Sequence, residues 1–277
     1  MATKETWRPR LVVSDLDGTL INSYERVTDR LQKVIAQLSP EMTFILATGR
    51  PMRWVQPIVD QIPIQPLCLC GNGAVVYDSA NDRVLQTDAL SPEAIASVIR
   101  VAQEHVDDVS FAVERAGNSA LDTSKGALFA VTADYPHAWD SDEHLIETPE
   151  EMASRGAIKL LIRSPLLSSQ RLYDLVAPHI ASDLAHVTFS MPDGLLEVSR
   201  PGVTKGAALR QLAPSLGFDS SEAIAFGDMP NDVEMLQWAH YAVAMGTAPE
   251  EVRAVAHEVT ASHNEDGVAL VLERFCS

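Results

Sequence analysis

Hydrophobic positions along this chain come first in short, unbroken runs. Leu11-Val12-Val13 leads to Ser14-Asp15, Phe44-Ile45-Leu46-Ala47 to Thr48-Gly49-Arg50, and Ala223-Ile224-Ala225-Phe226 to Gly227-Asp228. Runs this short and this apolar predict strands buried on both faces, as in a parallel sheet. Segments with helical patterning follow them, at roughly Thr28 to Leu38, Pro51 to Gln61 and Pro230 to Ala239. Pro51 and Pro230 suit a first helical turn, whereas Pro57 predicts a kink or an early stop. Strands alternating with helices predict an α/β, doubly wound sheet. In such sheets ligands bind beyond the carboxyl ends of the strands, where Asp15, Thr48 and Asp228 all fall.

The middle of the chain is patterned differently. Ala74 to Tyr77 and Arg83 to Leu85, separated by Asp78-Ser79-Ala80-Asn81-Asp82, predict a hairpin. Ser91-Pro92-Glu93 opens a helix carrying Ile95, Val98, Ile99 and Ala102 at helical spacing. Strands are expected at Val109 to Glu114, Ala157 to Ile162 and His186 to Met191, with a helix from Ser168 to Pro178 and a surface loop from Asp134 to Glu151. These elements predict a second α/β unit at 87–189, inserted into a core made of 1–86 and 190–277.

Charge and cysteine content narrow the function. With 38 acidic and 21 basic side chains the formal net charge is −17, which disfavours nucleic acid and anionic membranes as partners. Cys68, Cys70 and Cys276 supply neither a disulfide framework nor a soft metal site, which fits a reducing compartment. Met1 to Arg10 lacks the apolar centre of a secretion signal, and no apolar stretch spans a bilayer, so the expected location is the cytoplasm.

The candidate chemistry sits at the strand ends. Asp15-Leu16-Asp17-Gly18 offers two carboxylates to one small volume, one as nucleophile and one for protons. An acidic turn before glycine is common, so this motif gains weight only from its companions. Gly227-Asp228-Met229-Pro230-Asn231-Asp232 adds hard oxygen ligands suited to Mg²⁺, which Asp15 and Asp228 would hold, with the backbone carbonyl of Asp17. Asp232 fits an outer role orienting water or a cation, and equally a helix first turn favoured by the macrodipole. The Thr48 hydroxyl can donate to a phosphoryl oxygen. Lys205 stands at a helix start behind a Thr204 cap, where its charge opposes the dipole; the position makes sense if the lysine neutralises carboxylates and phosphate.

Together these motifs resemble the haloacid dehalogenase superfamily of phosphotransferases. The matching stretches are Asp15-Leu16-Asp17-Gly18-Thr19-Leu20, Ala47-Thr48-Gly49-Arg50, Lys205-Gly206, and Gly227-Asp228 with Asn231-Asp232. Asn72-Gly73-Ala74 and Asp266-Gly267-Val268-Ala269 are similar to the Cof-type hydrolases within it; Cys70 departs from the serine or threonine frequent there. The resemblance implies a Rossmann-like core with an inserted α/β cap that selects the substrate. It implies a Mg²⁺-dependent phosphatase acting through an aspartyl-phosphate on Asp15, with Asp17 as acid and base. Asp15, Asp17 and Lys205 are the catalytic residues it implies, Thr48, Gly49, Lys205 and Asn231 the phosphate-binding ones, and Asp15, Asp17 and Asp228 the metal ligands. The expected substrate is a small phosphorylated metabolite, sugar phosphates first and cofactor phosphates next, handled by a monomer or homodimer. A sugar phosphomutase and a metabolite-binding protein on a retired scaffold are the alternatives. A dinucleotide-binding dehydrogenase is excluded, because no Gly-x-Gly-x-x-Gly turn follows the first strand.

Overall fold

The computed structural model describes residues 7–38, 40–122, 127–136, 144–189 and 191–276. The chain divides into two compact units, Met1–Leu85 with Thr204–Ser277, and Gln86–Val203. Segment 190–203, expected in the core, therefore belongs to the second unit. The reason is pairing: Leu195–Ser199 is a strand of the second unit's sheet, bonded along Lys159–Arg163.

The first unit carries β1 (Leu11–Ser14), β2 (Thr43–Ala47), β3 (Leu67–Cys70), β4 (Val75–Asp78) and the start of β5 (Arg83–Thr87), whose last two residues fall in the second unit. The second unit carries β6 (Ser110–Glu114), β7 (Phe129–Val131), β8 (Leu145–Ile146), β9 (Lys159–Arg163), β10 (His186–Thr188) and β11 (Leu195–Ser199). The chain then returns for β12 (Ala223–Gly227), β13 (Tyr241–Ala244) and β14 (Glu258–Val259). The larger sheet runs in the order β14-β13-β12-β1-β2-β3-β4-β5, parallel from β14 to β3. Its order reverses between β1 and β12, so Asp15 and Asp228 end adjacent strands on either side of the switch point, the usual ligand crevice of such sheets. Every residue of β1 and β12 is buried, as the unbroken apolar runs predicted.

Local stops and starts follow the sequence chemistry. Thr28 caps the helix Asp29–Gln37 by accepting from the Leu31 N–H, and Thr204 caps Lys205–Ser215 by accepting from that of Ala207. The segment after Pro51 is a 3₁₀ turn, Met52–Trp54, and a short helix, Gln56–Val59, that takes Pro57 into its first turn. The segment after Asp228 is likewise a 3₁₀ turn, Pro230–Asp232, continued by Val233–Trp238.

The second unit's sheet, in the order β10-β11-β9-β6-β7-β8, is antiparallel apart from β7 with β8. Helices Pro92–His105 and Ser169–Val176 bury Ile95, Val98, Leu172 and Val176 against Phe111, Val113, Leu160, Ile162, Leu196 and Val198 on one face. The alternate residues Ala112, Leu161 and Leu195 join Phe129 and Val131 in a smaller cluster, as period-two alternation requires. The stretch Asp134 to Glu151, expected as loop, contains β8 and the start of a capped helical turn, Pro149–Met152. Residues 137–143 within it lie outside the described residues.

Candidate active site

The site is built from four strand ends, those of β1, β2, β3 and β12, and one helix start of the first unit. Asp15 leaves β1 almost fully buried, its N–H bonded to the Phe226 carbonyl of β12. Lys205, buried with 1% exposure, donates from Nζ to Asp15 Oδ1 at 2.6 Å and to Asp232 Oδ1 at 2.7 Å. Asp232 accepts on its other oxygen from the N–H groups of Asp228 and Met229, 3.0 Å each. Asp228 Oδ1 accepts from the Thr19 hydroxyl at 2.9 Å. Oxygens of Asp15, Asp228 and Asp232 all lie within 4.8 Å of one another.

Gly18 shows why the acid-x-acid-Gly sequence closes this site. Its φ is +77°, and a Cβ there would meet Asp228 Oδ2 at 2.2 Å. Only glycine takes this conformation at little cost and lets the Asp228 carboxylate approach the turn.

Electrostatics set the chemistry. Three carboxylates share one ammonium, a formal excess of two negative charges in a buried space. Burial, then repulsion from Asp232, push the Asp15 carboxyl well above the usual range, although Lys205 pulls the other way. Burial likewise raises Asp228. Burial alone would lower Lys205, but Asp15 and Asp232 outweigh it and hold the ammonium protonated. The donor set fits a small hard dication: it is all carboxylate oxygen, and its uncompensated charge equals that of Mg²⁺.

The other predicted residues take separate places. The Asp17 carboxylate is outside the acidic triad and half exposed; Arg50 grips it, with Nε at 2.9 and 3.1 Å and Nη2 at 2.5 Å. Asp15 and Asp17 thus occupy contrasting environments, one buried against Lys205 and the other half exposed against Arg50. Thr48 is fully buried at the end of β2; its Oγ1 accepts from the Arg50 N–H at 3.0 Å, which leaves its own proton to donate. Gly49 faces Asn72, and Asn72 Oδ1 accepts from Asn231 Nδ2 at 3.0 Å, tying the ends of β3 and β12 together. Sequence patterning missed three of these contacts: Thr19 on Asp228, Arg50 on Asp17 and Asn72 on Asn231. Thr19, Arg50 and Asn72 all lie inside the motif stretches, so membership of a motif was the available signal. Cys68 and Cys70 are buried and unpaired with each other; burial pushes the Cys68 thiol up to about 12, so both serve as apolar filling.

Residues 12–272 match the family described as haloacid dehalogenase-like hydrolase. The chain belongs to that family. Within it the similarity is to Cof-type phosphatases, and the chain is a phosphoric monoester hydrolase of α/β architecture. It is 31% identical over 251 residues to the HMP-PP phosphatase of Serratia proteamaculans, covering 89% of this chain and 87% of the relative. It is 24% identical over 284 residues to the 5-amino-6-(5-phospho-D-ribitylamino)uracil phosphatase of Bacillus subtilis, covering 98% of both. The fold matches that of a subclass IIB sugar phosphatase with a TM-score of 0.74 at 22% identity, over 96% of this chain and 98% of the other. Among the described residues no helix is long and apolar enough to cross a membrane.

Proposed function

We propose that this phosphatase hydrolyses a small phosphorylated metabolite in two displacements, with Asp15 as nucleophile and Asp17 as acid and base. The observation that carries the reading is the Lys205 ammonium bridging Asp15 and Asp232 beside Asp228. Lysine buried at a helix start opposes the dipole and the cost of dehydration, a cost offset when it orients a nucleophile and neutralises phosphate.

Lys205 fixes one oxygen of Asp15, leaving the other to attack phosphorus in line. The phosphorus–oxygen bond to the leaving group breaks as Asp17 gives that oxygen its proton. Water then attacks the aspartyl-phosphate; Asp17 takes the water's proton, the bond to Asp15 breaks, and inorganic phosphate leaves. The Thr48 hydroxyl, the Gly49 backbone and Lys205 receive the phosphoryl oxygens, with Asn231 steadied by Asn72 at the rim. Asp15 and Asp228, with the Asp17 carbonyl, would hold Mg²⁺, while Asp232 anchors Lys205 and the Asp228 turn. When bound, the dication neutralises charge on the transferring phosphoryl group.

Sugar phosphates are the first substrate class: one similar fold is a sugar phosphatase, and the Bacillus relative is named for a phosphate on a ribityl chain. Cofactor-precursor phosphates come next. The second unit is the inserted cap to which we assign substrate choice. Free cysteines and an acidic surface support a cytoplasmic enzyme without nucleic-acid or membrane partners, working as a monomer or homodimer. The test is phosphate release from a panel of sugar, nucleotide and cofactor phosphates with and without Mg²⁺. Mg²⁺-dependent release from a sugar phosphate is expected; isomerised sugar without free phosphate would point to a mutase, and binding without turnover to a sensor.

A further inference from the structure

Arg50 is better fixed than either anion it holds. Its side chain is 16% exposed, against 52% for Asp17 and 66% for Glu25. Its N–H donates to Thr48 Oγ1 and its carbonyl accepts from the Gly71 N–H, so its backbone is set by the ends of β2 and β3. From this base the guanidinium forks onto both oxygens of Asp17, while Nη2 also reaches Glu25 Oε1 at 2.7 Å.

Glu25 is placed for this contact at a conformational cost. Its φ is +56°, the left-handed region that side chains avoid. The loop is held by Asn22, whose side-chain oxygen accepts from the N–H groups of Tyr24 and Arg26. Gln61 adds a donor to the Glu25 carbonyl, and Asn22 and Arg26 pair through their backbones. An exposed ion pair contributes too little stability to account for so much local architecture. A planar fork that orients a carboxylate does account for it, because two parallel bonds fix direction as well as distance.

We propose that Arg50 is a positioning residue for this reaction: steadied by Glu25, its guanidinium aims the Asp17 carboxyl at the leaving-group oxygen. The inference rests on the Asp17 acid role proposed above. Asp17 needs one oxygen directed at the scissile bond, and among the described residues Arg50 is the side chain that bonds its carboxylate. Glu25 gives Arg50 a second anion, so the fork can shift toward Glu25 when Asp17 engages the substrate. The proton itself still moves from Asp17 to the leaving oxygen; Arg50 exchanges none.

The test compares two leaving groups, using kcat/KM, which reports steps through departure of the leaving group. p-Nitrophenyl phosphate needs no proton at its leaving oxygen; the sugar phosphate best cleaved in the panel above does. Arg50→Gln should lower kcat/KM on the sugar phosphate by about 10²-fold and on p-nitrophenyl phosphate by less than about 5-fold. Arg50→Lys, which keeps charge but loses the fork, should remain impaired by about 10-fold on the sugar phosphate, and Glu25→Gln by less. Asp17→Asn is the reference and should show the same selectivity more strongly. Equal losses on both substrates in Arg50→Gln, with Asp17→Asn selective, would overturn the Arg50 inference alone. An unselective Asp17→Asn would overturn the acid role and the inference with it.

Discussion

The two units bury charge in opposite ways. In the second unit buried and half-buried ions stand in pairs of opposite sign: Arg115 with Glu147 at 2.7 Å, which also holds the more exposed Arg155, Lys159 with Glu197 at 2.6 Å, and Arg163 with Asp193 at 3.0 Å. In the first unit three carboxylates crowd one ammonium. Matched pairs leave little field, and their effect is to fix neighbouring strands in register: Lys159 and Glu197 join β9 to β11. The unmatched cluster is an unfavourable arrangement by itself, and under the proposed function it becomes favourable when a dication and a phosphoryl group enter. Imbalance, more than burial, separates the reactive site from the framework.

Substitutions can break that contrast. The largest effect belongs to Asp15→Asn, which should reduce phosphate release by about 10⁴-fold or more. The same variant should melt no lower than wild type, since it removes one of the excess negative charges; a clear loss of stability by calorimetry would count against the imbalance. Lys205→Met should abolish turnover and also destabilise by about 3–5 kcal/mol, because buried carboxylates lose their only described cation. Urea titration measures that cost.

Glu147→Gln examines the matched side. Glu147 holds both Arg115 and Arg155, and its loss should cost about 2–4 kcal/mol while kcat/KM on p-nitrophenyl phosphate stays within about 3-fold. The smallest effect is pH-linked. Folding without a cation raises Asp15 and Asp228 above their unfolded values, so the folded chain binds protons that the unfolded chain has released. That contribution is full below the unfolded value, about 4, and is lost as pH rises through the raised one. Chelator-treated protein should therefore melt a few degrees higher near pH 5 than near pH 8, within the roughly 2–4 °C that 1 kcal/mol commands at this size. Millimolar Mg²⁺ should remove the difference by stabilising the ionised site.

How much of this was legible depends on the range of the interaction. The parallel strands were, because residues such as Val12 and Ile224 sit in runs buried on both faces and need no partner to be recognised. β11 was not: Leu195-Leu196-Glu197-Val198-Ser199 is interrupted by the polar Glu197 and Ser199, and its place follows from antiparallel pairing with residues more than thirty positions away. That omission put the unit boundary at 190 where the structure has Thr204. At the site, short side chains on strand ends were legible, since backbone position alone brings Asp15, Thr48 and Asp228 to one edge. Arg50 was not, because a long flexible side chain chooses its partner by geometry that spacing does not encode. Asp232 fell between: one carboxylate oxygen accepts from the Asp228 and Met229 N–H groups and the other from Lys205, and its place in the motif encodes neither partner.

The account depends on a covalent bond forming at Asp15, and that can be seen directly. Asp17→Asn should slow hydrolysis of the intermediate, so this variant is mixed with Mg²⁺ and a radiolabelled sugar phosphate or acetyl phosphate, quenched in acid and digested. Label is expected on the peptide containing Asp15, released by hydroxylamine and missing when Asp15 is also changed to asparagine. Label on another residue, or undiminished phosphate release without any labelled protein, would contradict it.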